Sequence, residues 1–277
     1  MSARHGQKAR TRLAWYFRWP VKWAILGITV FFVNFPNIPA LVRHVQRWQH
    51  PDDLVEPNAP LLAPLVEELS IELTADIAPS EALKRVERFV YRHVPYEWDW
   101  NTWGNADYLP TVTEVLTKGH EDCDGRAVVA ASLLQRFGYR ASLVTDFTHV
   151  WVKTDQGELM SPGKTKAVVT ENGRLKLQSG ALAQVPKALG YGIAVFPLLR
   201  ELIVVAVLWF LLWNRGVHKF PFFLALVLLI NGLLFLRIAG ADHRKPDVWA
   251  QWVGVSNLVG GCVLPVCGLG PRVVGEP

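Results

Sequence analysis

Only three of the 277 residues are cysteine, and two of them, Cys262 and Cys267, lie in an apolar stretch near the C-terminus. Cys123 stands alone in the polar middle of the chain. That scarcity excludes a disulfide framework and a CxxC redox pair from this region. A structural zinc is excluded as well, because one thiol among scattered histidines supplies no set of four ligands at fixed intervals. A basic recognition face is also missing. The net charge is +5, but Arg4, Lys8, Arg10, Arg12, Arg18 and Lys22 all fall at the N-terminus, and the middle shows no basic stripe. Nucleic acid is therefore not an expected partner. No internal repeat is present.

Apolar residues are abundant, at 51% with a mean hydropathy of +0.18. They concentrate in residues 21–42 and 192–270, whereas 43–191 reads as ordinary globular sequence. The run Val21–Val42 is long enough to span a bilayer, with Trp15, Tyr16, Trp19 and Trp23 as an interfacial belt. It is too long for a signal peptide, and no clean small-x-small cleavage site follows it. Ile193–Trp213, bent at Arg200 and Glu201, and Phe220–Ile238 read as further spans. Trp249–Leu269 is a weaker one because of its glycines. The expected organisation is a basic cytoplasmic tail (1–20), a transmembrane anchor (21–42) and a water-facing domain (43–191, core 80–178). A membrane region with two or three helices (192–270) and a short tail (271–277) follow. With the basic tail inside, the water-facing domain lies outside the cytoplasm, in a periplasm for a Gram-negative host.

The middle opens with a proline-rich linker, 51–64, and an apolar helix over Leu61–Leu73. A second helix begins at Ser80 as N-cap, with Leu83, Val86, Phe89, Val90 and His93 on one face, and ends at Pro95. An aromatic tract holding Trp98, Trp100, Trp103 and Tyr108 follows. Pro110 opens a short helix through Thr117. Residues 119–125 turn into a third helix that ends at Phe137, with Gly138 as its left-handed stop. The period then changes to two. Ala141–Val144, His149–Val152 and Glu158–Met160 read as strands, and Ala167–Thr170 with Arg174–Leu177 as another hairpin. Helices followed by an antiparallel sheet make an α+β domain.

Cys123 falls in the first turn of the third helix, where unpaired amides and the helix dipole favour an anion. The same amides suit a developing oxyanion. His149, on a strand one connection later, can serve the sulfur as a base.

Residues 89–152 resemble the transglutaminase-like cysteine enzymes, of papain-like fold, and among them the bacterial cysteine peptidases. The likeness rests on Tyr96, Trp103-Gly104-Asn105-Ala106-Asp107-Tyr108, Pro110, Glu114 and Gly119-His120-Glu121-Asp122-Cys123-Asp124. The helix Ala127–Phe137, Gly138-Tyr139 and Thr148-His149-Val150-Trp151-Val152 follow in the same order. The resemblance implies a Cys123 nucleophile and a His149 base acting on protein or peptide amide bonds. Hydrolysis is favoured, because an amine acceptor competes with water at roughly 55 M. In the family an Asp on the next strand orients the histidine by accepting from Nδ1–H. Here Ser161, in Met160-Ser161-Pro162-Gly163, stands in that place and brings no charge. Asp122 and Asp124 match positions that bind calcium in the peptidase branch, and no other cofactor is implied. Trp103 and Tyr108 are candidate walls of a substrate groove. The rival reading is a catalytically inactive domain of the same fold, a membrane-tethered binding module.

Overall fold

A computed structural model describes residues 2–73, 76–145, 149–161, 168–171, 174–177, 190–213, 217–241 and 247–267. Of 2–17, 168–171, 174–177 and 266–267 it describes the backbone alone. Thr148 before the histidine, the Pro162-Gly163 pair after Ser161, Ala167 of the second hairpin and the tail 271–277 lie outside the described residues.

The chain divides into two compact units, Met1–Asn34 with Val185–Pro277, and Phe35–Gln184. The first unit opens with α1 (Ser2–Asn34). The second begins with α2 (Ile38–Trp48). Two short 3-10 turns, Pro51–Leu54 and Pro60–Leu62, lead into α3 (Ala63–Glu72), α4 (Pro79–His93), α5 (Asp99–Thr102), α6 (Val112–Lys118) and α7 (Cys123–Arg136). The strands follow: β1 (Ala141–Thr145), β2 (Val150–Thr154), β3 (Gly157–Leu159), β4 (Val168–Glu171) and β5 (Arg174–Leu177). β1-β2-β3 is one antiparallel sheet, with Val144 opposite Trp151 and Lys153 opposite Glu158, and β4-β5 is a separate hairpin. The second unit is thus α+β.

Local chemistry accounts for most boundaries. α4 starts at Pro79, with Ala78 at the N-cap and no side-chain cap, so the proline and not Ser80 sets its start. α6 carries a capping box between Thr111 and Glu114, which moves its start past Pro110. α7 is capped by Asp122 and is followed by Gly138 at φ 85°. From Ala127 to Leu134, α7 is buried along its whole circumference, against α4, α6, β1 and β2. Trp151, at 1% exposed, is the largest side chain of this core.

Later in the first unit come the helices α8 (Leu198–Leu212), α9 (Lys219–Gly240) and α10 (Val248–Cys267). α1 and α8 run antiparallel. Lys22 Nζ donates to the carbonyls of Leu211 and Trp213, and Arg200 donates to the carbonyl of Val33. α9 and α10 lie close because glycines face large side chains across the seam. A Cβ on Gly254 would sit 2.8 Å from Leu236 Cγ, and one on Gly261 2.8 Å from Leu229 Cγ.

Among the described residues one helix, α9, is by itself long and apolar enough to cross a membrane. The other expected spans differ from the sequence reading. α1 ends at Asn34, because Pro36 disfavours helix at the residue before it, and Ile38–Val42 belong to α2. The stretch from Ile193 breaks at Pro197, not at Arg200 and Glu201, which leaves α8 with 15 residues. α10 carries Gln251, Ser256 and Asn257 along with its glycines.

Candidate active site

Cys123 is the first residue of α7, and its side chain is partly exposed. Its thiol donates to Asp124 Oδ1 at 3.2 Å, and the Val150 amide donates to the sulfur. Val150 directly follows His149, so the start of β2 meets the start of α7 at the sulfur. His149 Nε2 lies 2.8 Å from the Met160 carbonyl. A carbonyl only accepts, so Nε2 carries a proton and donates it here. The sequence reading puts the orienting bond on Nδ1–H, with Ser161 as its acceptor. Nε2 is held instead by backbone, the Met160 carbonyl, one residue before Ser161.

Met160 is the one non-glycine residue with positive φ among the described residues, at 57°. Its own amide donates to Glu87 Oε1 at 3.0 Å, which ties the strained turn to α4. Tyr91 Oη donates to the same carboxylate oxygen at 3.4 Å.

The electrostatics oppose the expectation from the helix terminus. Burial pushes the Cys123 thiol well above its ordinary value, and the Asp124 and Asp122 carboxylates push it the same way. Burial and the two acids together outweigh the dipole. Asp122 Oδ1 also accepts the Asp124 amide at 3.0 Å, so that amide is already engaged.

Behind Asp122 lies a carboxylate cluster that sequence reasoning does not single out. Asp99 and Glu121 are fully buried, and oxygens of Asp99, Glu121 and Asp122 lie within 4.8 Å of one another. Trp103 Nε1 and the Asp122 amide donate to Glu121. The Tyr108 amide donates to Asp99 Oδ2 at 2.6 Å, while Asp99 Oδ1 is buried with no hydrogen-bond partner. Burial, then the Asp122 and Glu121 charges, push the Asp99 carboxyl up to about 12. Asp99 opens α5, where an acid reads as an ordinary first-turn residue, so no local signal marks it.

Tyr108 does not wall a groove. It is fully buried, its hydroxyl accepts from Arg43 and Arg47, and it donates to Glu114 at 2.9 Å. Trp103 is partly buried against Tyr108, with ring centroids 4.5 Å apart. The exposed aromatics beside the site are Tyr91 and Tyr96, which sandwich the Arg126 guanidinium. Backbone bonds between Glu121 and both Pro95 and Glu97 hold this tract next to the turn before Cys123.

No family model matches the chain, and no curated protein matches it.

Proposed function

We propose that the Phe35–Gln184 unit is a transglutaminase-like cysteine hydrolase acting on protein or peptide amide bonds. The observation that carries this reading is the meeting of α7 and β2 at the sulfur, with His149 next to Val150 and its Nε2 held by the Met160 carbonyl; we assign the base role to Nδ1. In the proposed cycle Nδ1 takes the Cys123 proton as sulfur attacks the amide carbon. The tetrahedral adduct expels the amine, which leaves with that proton, and a thioester remains. Nδ1 then takes a proton from water as its oxygen attacks the thioester. The acid is released and the thiol restored.

The chain is also proposed to be membrane-anchored and multi-pass, with this unit outside the cytoplasm. The apolar α9 and the basic N-terminus support that topology.

The test uses detergent-solubilised full chain in which Cys262 and Cys267 are replaced by serine. An electrophilic peptide ketone is expected to label this protein and not its Cys123→Ser variant. Equal labelling of both sinks the proposal. A catalytically silent binding module is the second reading, and the thiol held protonated between two acids favours it.

A hard cation suits the Asp99, Glu121 and Asp122 oxygens better than Asp122 with Asp124, because the latter pair encloses sulfur. Calcium bound there would supply positive charge close to the thiol and favour thiolate. The pH dependence tests this. Asp99 is protonated in the folded unit and ionises when unfolded above about pH 4. The unfolded chain then binds fewer protons, so stability falls as pH rises. In chelator the melting temperature is expected to drop between acid and neutral pH. Calcium, or Asp99→Asn, is expected to flatten that drop. A melting curve insensitive to both removes the cation site.

A further inference from the structure

α2 is amphipathic in an unusual sense. Its cationic side faces its own unit: Arg43 and Arg47 bind the Tyr108 hydroxyl, Arg47 pairs with Glu114 at 2.6 Å, and His44 lies 3.9 Å from Asp107. Ala40, on the same side, is fully buried. The opposite side is apolar and open. Ile38, Val42, Val45 and Trp48 recur at helical spacing and are 39%, 51%, 53% and 59% exposed. Four large apolar side chains on one exposed stripe need a cover.

The chain itself indicates which cover. Only Phe35, Pro36 and Asn37 separate α2 from α1. Three residues reach at most about 10 Å. α1 carries exposed Ile25, Ile28, Phe31 and Phe32 up to that break. If α1 crosses a bilayer, the apolar side of α2 starts at the boundary of that bilayer.

We propose that α2 lies in the membrane interface, with Ile38, Val42, Val45 and Trp48 among the lipid headgroups and upper acyl chains. This rests on the membrane-anchor reading of α1. Arg47 is paired with Glu114 and Arg43, though exposed, is bound to the Tyr108 hydroxyl on the side away from the stripe, so the attachment is apolar and independent of lipid charge. That separates it from the usual interfacial helix, whose Lys and Arg meet anionic headgroups.

The experiment uses the full chain with Cys123→Ala, Cys262→Ser and Cys267→Ser, reconstituted in phosphatidylcholine vesicles. An environment-sensitive dye is placed on Val45→Cys, on Ile28→Cys in α1, or on Arg88→Cys at the exposed side of α4. Lipids with a quencher near the headgroup are expected to quench the Val45 dye roughly threefold or more over the Arg88 dye, consistent with shallow insertion. Adding phosphatidylglycerol is expected to change nothing. A quenched Ile28 dye beside an unquenched Val45 dye overturns the interfacial helix and leaves the anchor standing. An Ile28 dye that lipids quenching at acyl-chain depth also leave unquenched overturns both. Disulfide pairing of Val45→Cys between copies without quenching assigns the stripe to a second copy and overturns the proposal, as does quenching that requires anionic lipid.

Discussion

His149→Ala is expected to lower Cys123-dependent amide hydrolysis by about a thousandfold at neutral pH, the middle of the range for a positioned acid–base group. The loss is large here because the thiol rests protonated and needs a base at the moment of attack. Its proton is held by Asp124, and burial and two carboxylates keep it on sulfur. A papain-type thiol rests as thiolate because its histidine pairs with it, and loses that thiolate without the histidine. This one is expected to lose alkylation by iodoacetamide as well, with the remaining rate rising steadily toward alkaline pH. Glu87→Ala gives a graded version of the same effect, because Glu87 fixes the Met160 turn whose carbonyl holds Nε2. A loss of about tenfold is expected, restored in part by Glu87→Gln, which keeps an acceptor for the Met160 amide. Stopped-flow alkylation across pH measures both. Wild-type alkylation rates in His149→Ala would remove the histidine from the mechanism.

Trp151→Ala is expected to destabilise the Phe35–Gln184 unit by about 3–5 kcal/mol. That is a large share of the roughly 5–15 kcal/mol of an ordinary domain. Trp151 is 1% exposed on the central strand β2, between Val150 and Val152, which are also buried. The backbone around the cavity cannot collapse freely, because β2 pairs on both edges. The Val150 amide that meets the sulfur is on the same strand and His149 directly precedes it, so labelling of Cys123 should weaken along with stability. Denaturant titration followed by circular dichroism reads the stability, with exposed Lys153→Ala as a control expected within about 0.5 kcal/mol of wild type. A Trp151→Ala protein as stable as the control would mean that the core does not depend on this strand.

Much of the unit is legible in the sequence because it follows from short-range chemistry. Asp122 caps α7, Gly138 takes the left-handed backbone after it, and the residues between are largely apolar, so Cys123 is committed to a helix start by its neighbours alone. The alternating strands and the tight turn at Asp155 fix the β2–β3 hairpin and so bring Met160 beside His149. The partners that decide the chemistry come from far along the chain. Glu87 reaches Met160 from α4, and Asp99 and Glu121 meet only when α5 folds against the turn before α7. Desolvation of the sulfur, joined by the Asp124 and Asp122 carboxylates beside it, reverses the balance that the helix terminus alone implies. α2 shows the same division. Its apolar stripe is written in the spacing of Ile38, Val42, Val45 and Trp48, yet only packing of Arg43 and Arg47 onto Tyr108 determines that the stripe faces outward. A sequence states which groups are present and what their near neighbours permit, while distant charges and hydrogen-bond partners acquire their energies only when folding removes the water between them.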